Sequence, residues 1–340
     1  MKTLSQVVAA CAAVMAITLA DVVRADPIAD FYKGRTVTII VSAGVGGAYG
    51  TYSRLLAQHM ADHLPGRPTI IPQHMSGAGG TRAANYVSNV AARDGSVVAM
   101  LSEMTVPTQL LRPKAVKYDA SKFVWVGAIT PVTPVFMVHG DGPVKSIHDV
   151  MKRETLHGST GKGSQTYVMP SMMNAFIGTR YKIIRGYDGS AGVGLAFKQR
   201  EVESQSAAWS SWLTSSAEEI RTKAIVPIAQ VGLKREKDLP DVPLILELAK
   251  SEEAKRVLRF ISSSGAIGRS ITTPPGVPTA RLEALRTAFD ATMADPAFLA
   301  DAKKQRARLN PVPGADIQKV VEDMFATPAV LVEKARAAVK

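Results

Sequence analysis

The stretch that decides the fold is VTIIVSAGVGGAYGTYSRLLAQHM, residues 37–60. Its apolar start predicts a β-strand over residues 37–41, and its end predicts an α-helix over residues 51–64. The glycine-rich turn SAGVGGAYG joins the two. A strand that runs through such a turn into a helix opens dinucleotide sites and also several small-anion sites. The stretch therefore predicts an α/β unit and leaves its ligand to be decided by the rest of the chain.

The first 25 residues have the features of a secretory signal peptide. Lys2 gives a basic start, residues 7–20 are apolar, and residues 23–25 form a small-x-Ala cleavage site, so we expect cleavage after Ala25. Two alternatives stay open, a retained membrane anchor and lipidation at Cys11, but the apolar run is short for an anchor. Cys11 is the only cysteine, so the cleaved chain would have no disulfide, thiol nucleophile or thiolate ligand.

The formal net charge of +12 in 340 residues raises the question of a nucleic-acid partner. The lysines and arginines are scattered and mostly interleaved with acidic residues at helical spacing, and no basic–aromatic array stands out. A chain that is expected to be exported would also not meet nucleic acid. The composition therefore predicts a solvated surface and no nucleic-acid partner, while attraction to anionic ligands or to a membrane surface stays open.

Strand and helix signals alternate along the chain in two series, which predicts parallel sheets covered on both faces by helices. The first series runs from the opening stretch to residue 102, and the second follows two apolar segments, FVWVGAI and PVFMVHG. The C-terminal part reads as mainly helical. Helices are expected there over residues 242–250, 252–261, 278–293, 296–306 and from 316 onward, with one strand-like piece, GAIGRSITTP, between them.

The second series is inserted into the first, and this predicts two lobes. We expect lobe one to comprise residues 26–123 plus 231–340, and lobe two residues 124–230, with a hinge near residues 123–134 and 224–230. Two lobes joined by short crossing strands can close around a ligand. The ligand should then lie in the cleft, at the carboxyl ends of the strands of both units.

The opening loop departs from the dinucleotide fingerprint. Tyr49 stands where the third glycine is required, and the second strand segment, IIPQHMSG, offers no acid for a ribose hydroxyl. What remains is a loop whose backbone N–H groups, with the start of the following helix, suit a carboxylate or another anion. A tight turn without a ligand is the open alternative.

Three further glycine-rich loops lie at predicted strand ends, at residues 77–80, 157–167 and 185–192. The second of them, HGSTGKGSQTY, differs from a P-loop because Gly163 follows Lys162 where Ser or Thr is required, so nucleotide hydrolysis is rejected. Its hydroxyl and amide side chains add polar groups to the glycine backbone. Four polar loops on two lobes indicate a cleft in which a small ligand is contacted by both lobes.

Catalytic and metal motifs are weak. His59 and His63 share a helix face but lack a third ligand and the glutamate of an H-E-x-x-H motif, so both are interpreted as surface histidines. No G-x-S-x-G elbow occurs. We therefore expect no catalytic residue, no metal and no cofactor. The segment MPSMMNAF is interpreted as core, with a ligand-facing wall as the alternative, and Trp209 and Trp212 either line the cleft or pack at its edge.

Taken together, these segments resemble one family. FYKGRTVTIIVSAGVGGAYGTYSRLLAQHM, MSGAGGTRAANYV and ARDGSVVAML are similar to segments of the solute-binding receptors of tripartite tricarboxylate transporters, the Bug-type receptors. The similarity continues through FVWVG, HGSTGKGS, DGSAGVGLAFKQREVE and TPPGVPTARLEALRTAFDATMADPAF. It therefore covers nearly the whole chain after the signal peptide.

The resemblance implies a periplasmic-binding-protein (Venus flytrap) fold, in which each lobe is a mainly parallel sheet flanked by helices. It implies a periplasmic receptor that binds a small organic carboxylate and delivers it to one large and one small integral membrane subunit, without enzymatic activity. We expect a monomer. A periplasmic sensing partner of a membrane signalling protein is the first alternative, and a nucleotide-dependent α/β enzyme is the second.

The resemblance also implies where the ligand lies. The backbone amides of the first strand–helix loop would hold its carboxylate, and the loops of lobe two would close on it. Many relatives carry Asp where Gly50 stands here, which favours a plain carboxylate or an aromatic acid over a ligand whose amino group needs a partner. The candidate ligand-binding residues are Gly46, Gly47, Ala48, Tyr49, Gly50, Thr51, Gly77, Ala78, Gly79, Ser159, Thr160, Gly163, Ser164, Gln165, Tyr187, Asp188 and Trp209.

Overall fold

The computed structural model describes residues 26–340, so the predicted signal peptide and its cleavage site lie outside the described residues. Two sheets form the framework of the described chain. The strands are β1 (Thr36–Val41), β2 (Thr69–His74), β3 (Val97–Met100), β4 (Val124–Ala128), β5 (Pro134–His139), β6 (Thr155–Ser159), β7 (Tyr181–Arg185), β8 (Ser204–Ala208), β9 (Ile225–Gln230), β10 (Ser270–Thr273) and β11 (Val312–Pro313).

Helices cover the sheets. The α-helices are α1 (Pro27–Tyr32), α2 (Ala48–His63), α3 (Thr81–Asn89), α4 (Thr105–Leu111), α5 (Ile147–Lys152), α6 (Gln165–Phe176), α7 (Gly189–Lys198), α8 (Trp209–Ser215), α9 (Ala217–Arg221), α10 (Glu252–Ser262), α11 (Ser264–Ile267), α12 (Thr279–Ala294), α13 (Pro296–Lys304), α14 (Gly314–Phe325) and α15 (Ala329–Ala338). Short 3₁₀ turns lie at Ala78–Gly80, Pro113–Ala115, Ala120–Lys122 and Ile245–Leu248. Within residues 26–340, no helix is both long enough and apolar enough to span a bilayer.

The first sheet has the order β11-β4-β10-β3-β1-β2. β1 pairs in parallel with β2 and β3, with Thr36 opposite Thr69 and Thr38 opposite Val97. β10 runs antiparallel between β3 and β4, and β11 runs antiparallel beside β4. The three parallel strands bring the loops that follow them to one edge of the sheet, because parallel strands end on the same side.

The second sheet has the order β7-β6-β8-β5-β9. β6 pairs in parallel with β7 and β8, and β5 runs antiparallel to β8 and β9. The predicted α/β fold of two lobes is confirmed. Each sheet is mixed but mainly parallel, because β1 to β4 run in one direction in the first sheet and β6 to β9 run in one direction in the second. β5 and β10 enter their sheets as the chain passes between the lobes, and neither closes a βαβ unit within its own sheet. Nothing therefore imposes the parallel direction on them.

The division between the lobes is displaced from the predicted boundary at residue 124. β4 was assigned to lobe two, yet it pairs with β10 and β11 in the first sheet. The chain therefore changes sheet between residues 128 and 134, inside the predicted hinge region. We call residues 129–133 the crossing segment; motion at this segment stays a prediction.

The C-terminal helices agree with the sequence patterns except in one place. The prediction of a helix over residues 242–250 is wrong, because only a 3₁₀ turn forms there, at Ile245–Leu248. Leu244 and Ala249 both have extended backbone angles, with ψ of 141° and 133°, so the segment between them is limited to one 3₁₀ turn.

One apolar cluster extends across both lobes. Met169, Met172 and Met173 of α6 are buried in it, together with Phe260 of α10 and Leu331 of α15. The segment MPSMMNAF is therefore core, as its helical spacing predicts, and its methionines join α6 of lobe two to helices of lobe one. The lobes thus share an apolar interface in addition to the crossing segment.

Candidate functional site

The loop after β1 leaves the start of α2 open. Gly47 precedes the helix with φ 100° and ψ −176°, a backbone conformation that is essentially restricted to glycine. No side chain caps this end of α2 within the described residues. The first N–H groups of the helix have no intrahelical acceptor, so they carry the positive end of the helix dipole toward the loop.

Gly50 packs closely against the residues that precede it in the loop. A Cβ added at Gly50 would overlap the carbonyl oxygen of Val45, because the loop folds back onto the first turn of α2. Arg54 donates from Nη1 to the same carbonyl oxygen at 3.3 Å and holds this arrangement. The loop therefore has no room for an aspartate at position 50.

The first loop faces the start of α7 across the cleft between the lobes. A Cβ built on Gly47 would lie 3.4 Å from the hydroxyl of Ser190, so the two loops are in van der Waals reach. Asp188 precedes α7 and makes no capping hydrogen bond there within the described chain. The Tyr187 hydroxyl donates to Glu201 at 3.5 Å. The structure thus brings the loop that starts α7 to the first loop, and ligand contacts of Tyr187 and Asp188 stay predictions.

The second pair of loops also meets across the cleft. A Cβ on Gly79 would come within 2.5 Å of the carbonyl carbon of Gly163 and 2.8 Å of the amide nitrogen of Ser164. Thr108 of α4 donates to the Gly163 carbonyl at 3.4 Å. The loop after β2 therefore packs backbone to backbone against the loop that starts α6, which is possible only because Gly79 has no side chain.

The hydroxyls of the loop after β6 mainly build the loop itself. Thr166 Oγ1 lies 3.2 Å from Ser159 Oγ, 3.5 Å from Thr160 Oγ1 and 2.7 Å from Ser164 Oγ. Thr166 was missed from the sequence, since it looked like an ordinary residue in the first turn of a helix. It organises three of the predicted ligand residues, and their ligand contacts stay predictions.

Two buried side-chain oxygens near the loops, on Ser42 and Gln165, have no partner within residues 26–340. Ser42 Oγ, at the end of β1, is buried, and so is Gln165 Oε1, although Gln165 Nε2 donates to the Ser206 carbonyl at 3.2 Å. Ser42 lies beside Gly80 and was not among the predicted site residues. Its only signal in the sequence is a polar residue that directly follows an apolar strand. Buried polar atoms normally have partners, so both atoms are available to a ligand or to water.

Trp209 is placed in the core rather than on an open surface. It is buried in an apolar cluster of lobe two, and its indole N–H donates to Asp238 at 3.1 Å. Trp212 is buried in the same cluster, where its N–H donates to the Val135 carbonyl at 3.0 Å. Both tryptophans therefore pack in the interior of lobe two. A ligand contact of Trp209 stays a prediction.

A charged network lies beneath the first loop. The Tyr49 hydroxyl donates to the Glu103 carboxylate at 2.5 Å, and the Arg269 guanidinium carbon is 4.2 Å from the centroid of the Tyr49 ring. Burial, and next the charge of Glu103, raise the pKa of Tyr49 far above its usual value, so its hydroxyl stays protonated. Glu103 and Arg269 are both buried and were not predicted from the sequence.

The two histidines of α2 contact acidic residues, and the interpretation of both as surface residues is wrong for His59, which is buried. His59 Nε2 lies 3.0 Å from Asp301, and His63 Nε2 lies 3.0 Å from Asp295. The part of the chain that the structure describes contains no group of three or more ligating side chains suited to a metal ion. Both histidines tie α2 to α13 and its preceding residue.

Two α/β lobes whose glycine-rich helix starts meet across an interlobe cleft form an arrangement that suits a solute-binding protein. The family described as the tripartite tricarboxylate transporter family receptor matches residues 52–336. That span exceeds half of the chain, and the chain belongs to this family.

Comparison with known proteins supports the same fold. A UPF0065 protein of the TAR-I ttuE–ttuC' intergenic region of Agrobacterium vitis is 27% identical over 318 residues, which are 92% of this chain and 83% of that protein. The periplasmic binding protein BugD is 23% identical, with a TM-score of 0.67 over 89% of this chain and 98% of BugD. MatC of Rhodopseudomonas palustris, solved with malate, is 19% identical, with a TM-score of 0.66 over 90% of this chain and 99% of MatC. An R. palustris protein solved with adipate is 21% identical, with a TM-score of 0.66 over 88% of this chain and 97% of that protein.

Proposed function

We propose that this chain is a periplasmic receptor that captures a small organic carboxylate between its lobes. The observation that carries the proposal is the set of four helix starts, of α2, α3, α6 and α7, which lie at the cleft loops without side-chain caps in the described chain. Uncapped helix starts present N–H donors and the positive ends of helix dipoles, which favour an anion between them.

The ligand class follows from this chemistry and from the relatives. The loop residues 46–51 offer backbone donors and no acidic side chain, so a carboxylate meets no like charge within the loop. Two similar structures contain malate and adipate, both of which are dicarboxylates. We propose a small mono- or dicarboxylate for this chain, held by residues 46–51 on one side and by residues 159–165 and 188–190 on the other.

The receptor would deliver its ligand to membrane partners. The chain would be exported to the periplasm with cleavage after Ala25, would act as a monomer, and would pass its ligand to one large and one small integral membrane subunit. It would bind and release the ligand without making or breaking a bond, because the cleft loops assemble no nucleophile with an adjacent base. A ligand can close the lobes only by binding the closed arrangement better than the open one.

A thermal-shift screen of the protein without its first 25 residues tests the ligand class. The panel contains mono-, di- and tricarboxylates, aromatic acids, ATP and NAD. We expect at least one acid to stabilise the protein, by about 2.7 kcal/mol when its concentration is 100 times its Kd. Stabilisation by a nucleotide alone, or by no compound in the panel, would overturn the proposal.

Gly79→Ala is expected to weaken binding of the best acid of that screen by about 10- to 100-fold. The new Cβ would meet the backbone of Gly163 and Ser164, and overpacking of this kind costs about 1–3 kcal/mol. Because the obstacle lies between the lobes, the closed arrangement loses most. The measurement is isothermal titration calorimetry of Gly79→Ala, with small-angle scattering to compare compaction on ligand addition.

Gly77→Ala is the matched control for this test. Gly77 has φ 131° in the same loop, but a Cβ there would meet only the Arg82 side chain, at 3.6 Å. Both variants carry backbone strain, and only Gly79→Ala obstructs lobe two. Equal losses of affinity in the two variants would contradict the assignment of this contact to closure.

A further inference from the structure

Arg269 lies where both lobes and the crossing segment meet. Its backbone N–H donates to the Thr130 carbonyl at 2.9 Å, and its own carbonyl accepts from the Ile129 N–H at 3.0 Å. Its guanidinium covers the ring of Tyr49, in the first turn of α2. The residue is therefore anchored at the crossing segment, and its charged group reaches under the first loop.

The crossing segment that holds Arg269 also contacts lobe two. The Trp209 backbone N–H, at the start of α8, donates to the Thr133 carbonyl at 2.9 Å. The Arg269 guanidinium lies beneath the first loop of lobe one, over the Tyr49 ring. We call this region, beneath the first loop and beside the crossing segment, the floor of the cleft.

This guanidinium lacks the hydrogen bonds that a buried arginine requires. Only 4% of the residue is exposed, and Nε has no acceptor within residues 26–340. Glu103 is the nearest carboxylate, but its Oε2 is 4.0 Å from Nη1, beyond hydrogen-bond distance. The Tyr49 hydroxyl holds that carboxylate at 2.5 Å instead. Burying a charged donor without an acceptor costs free energy of folding. An oxygen atom of a bound ligand would remove this cost, and the described chain does not supply such an atom.

We propose that Arg269 is the charged anchor of the bound ligand and donates to its carboxylate at the cleft floor. This inference rests on the proposed function and adds a residue to it. The carboxylate would pair with a guanidinium that is already buried, and such charge-assisted bonds are stronger than those from neutral donors. Tyr49 and Glu103 act as positioning residues. The tyrosine ring packs against the face of the guanidinium, and the tyrosine hydroxyl binds the Glu103 carboxylate, so that Glu103 does not accept hydrogen bonds from the guanidinium N–H groups.

The test compares an acid with its neutral primary amide. For the acid that stabilises the wild-type protein most, calorimetry measures the affinities of the acid and of the amide for the wild type and for Arg269→Met. We expect Arg269→Met to lose about 10- to 100-fold in affinity for the acid and less than about threefold for the amide. Arg269→Lys keeps the positive charge but loses the paired, planar N–H donors of the guanidinium. We expect it to lose an intermediate amount of affinity for the acid and none for the amide.

Arg281→Met is the matched control. The Arg281 guanidinium also covers an aromatic ring, that of Phe31 at 3.6 Å, and donates to the Asp94 carbonyl. We expect its affinities to equal those of the wild type. Equal losses for acid and amide in Arg269→Met would show a structural role and overturn the inference alone. If Arg269→Met does not fold, the same comparison is made with Arg269→Lys: its loss of affinity for the acid is divided by its loss of affinity for the amide. A wild type that binds no acid overturns the proposed function and this inference with it.

Discussion

Gly47→Asp is expected to abolish carboxylate binding, with a loss of at least about 100-fold in affinity. Two costs combine. Gly47 has φ 100° and ψ −176°, and a side chain in that region costs about 1–3 kcal/mol. The new carboxylate would also stand at the uncapped start of α2, and two like charges about 4 Å apart repel by about 1–4 kcal/mol between bulk water and a protein surface. The measurement is calorimetric titration with the best acid of the screen.

Two variants separate these costs. Gly47→Ala carries the backbone strain without the charge, and we expect it to retain part of the affinity. Gly44→Asp adds the same charge to the same loop, where φ is unstrained and a Cβ meets nothing within 4 Å. We expect Gly44→Asp to bind within about threefold of the wild type, since solvent screens an exposed charge. An affinity of Gly47→Asp near that of the wild type would refute the loop as the carboxylate site.

The sequence predicts the framework of this site well because the framework depends on local patterns. Apolar runs, helical periodicity and glycine clusters locate the loops at residues 46–51, 77–80 and 159–165. The alternation of strands and helices indicates that each loop lies at the carboxyl edge of its own sheet. Which loops face each other was not predicted: the loop 46–51 was expected to meet the loop 159–165, whereas Gly47 lies beside Ser190 and Gly79 lies beside Gly163. The antiparallel direction of β5 and β10 was not predicted, because it depends on the path of the chain between the lobes, which periodicity does not encode.

The charged floor of the cleft could not be predicted in the same way. Glu103, Arg269 and Tyr49 are far apart in the sequence, and they meet only because β10 inserts between β3 and β4. Arg269 stood inside the strand-like segment GAIGRSITTP, where a single arginine looks like a surface residue. For Tyr187, the sequence predicts the position in the chain but not the orientation of the side chain. Its position at a strand end was predicted, but that position did not fix the rotamer that turns its hydroxyl toward Glu201.

The buried His157 should make the stability of the protein depend on pH. His157 in β6 is fully buried between the rings of Phe136 and Tyr181, and its ring nitrogens lie 3.1 Å from Ser204 Oγ and 3.3 Å from Ser206 Oγ. Burial disfavours the imidazolium and lowers the pKa of His157 to about 3, whereas the unfolded chain has an ordinary histidine with a pKa of 6.5. The folded protein therefore holds this side chain neutral over a range of pH in which the unfolded chain charges it.

The direction of the effect follows from proton linkage. Between pH 6.5 and about 3 the unfolded state binds one more proton at this site, so the stability is complete above pH 6.5 and falls as the pH falls. One proton corresponds to about 1.4 kcal/mol for each pH unit. His157→Gln, which cannot be protonated, should show a shallower decline between pH 6 and pH 4, by up to this amount per unit, whatever its stability at neutral pH.

Urea unfolding of both proteins at several pH values measures this slope. Carboxylates affect both proteins alike, so the difference in slope isolates His157. His148→Gln is the matched control, because His148 is exposed on α5, and its removal should leave the slope unchanged. If His157→Gln is too unstable to measure, an imidazole NMR titration of the wild type gives the answer. A His157 ring that protonates near pH 6.5 in the folded protein, or equal slopes in the two proteins, would refute the burial argument.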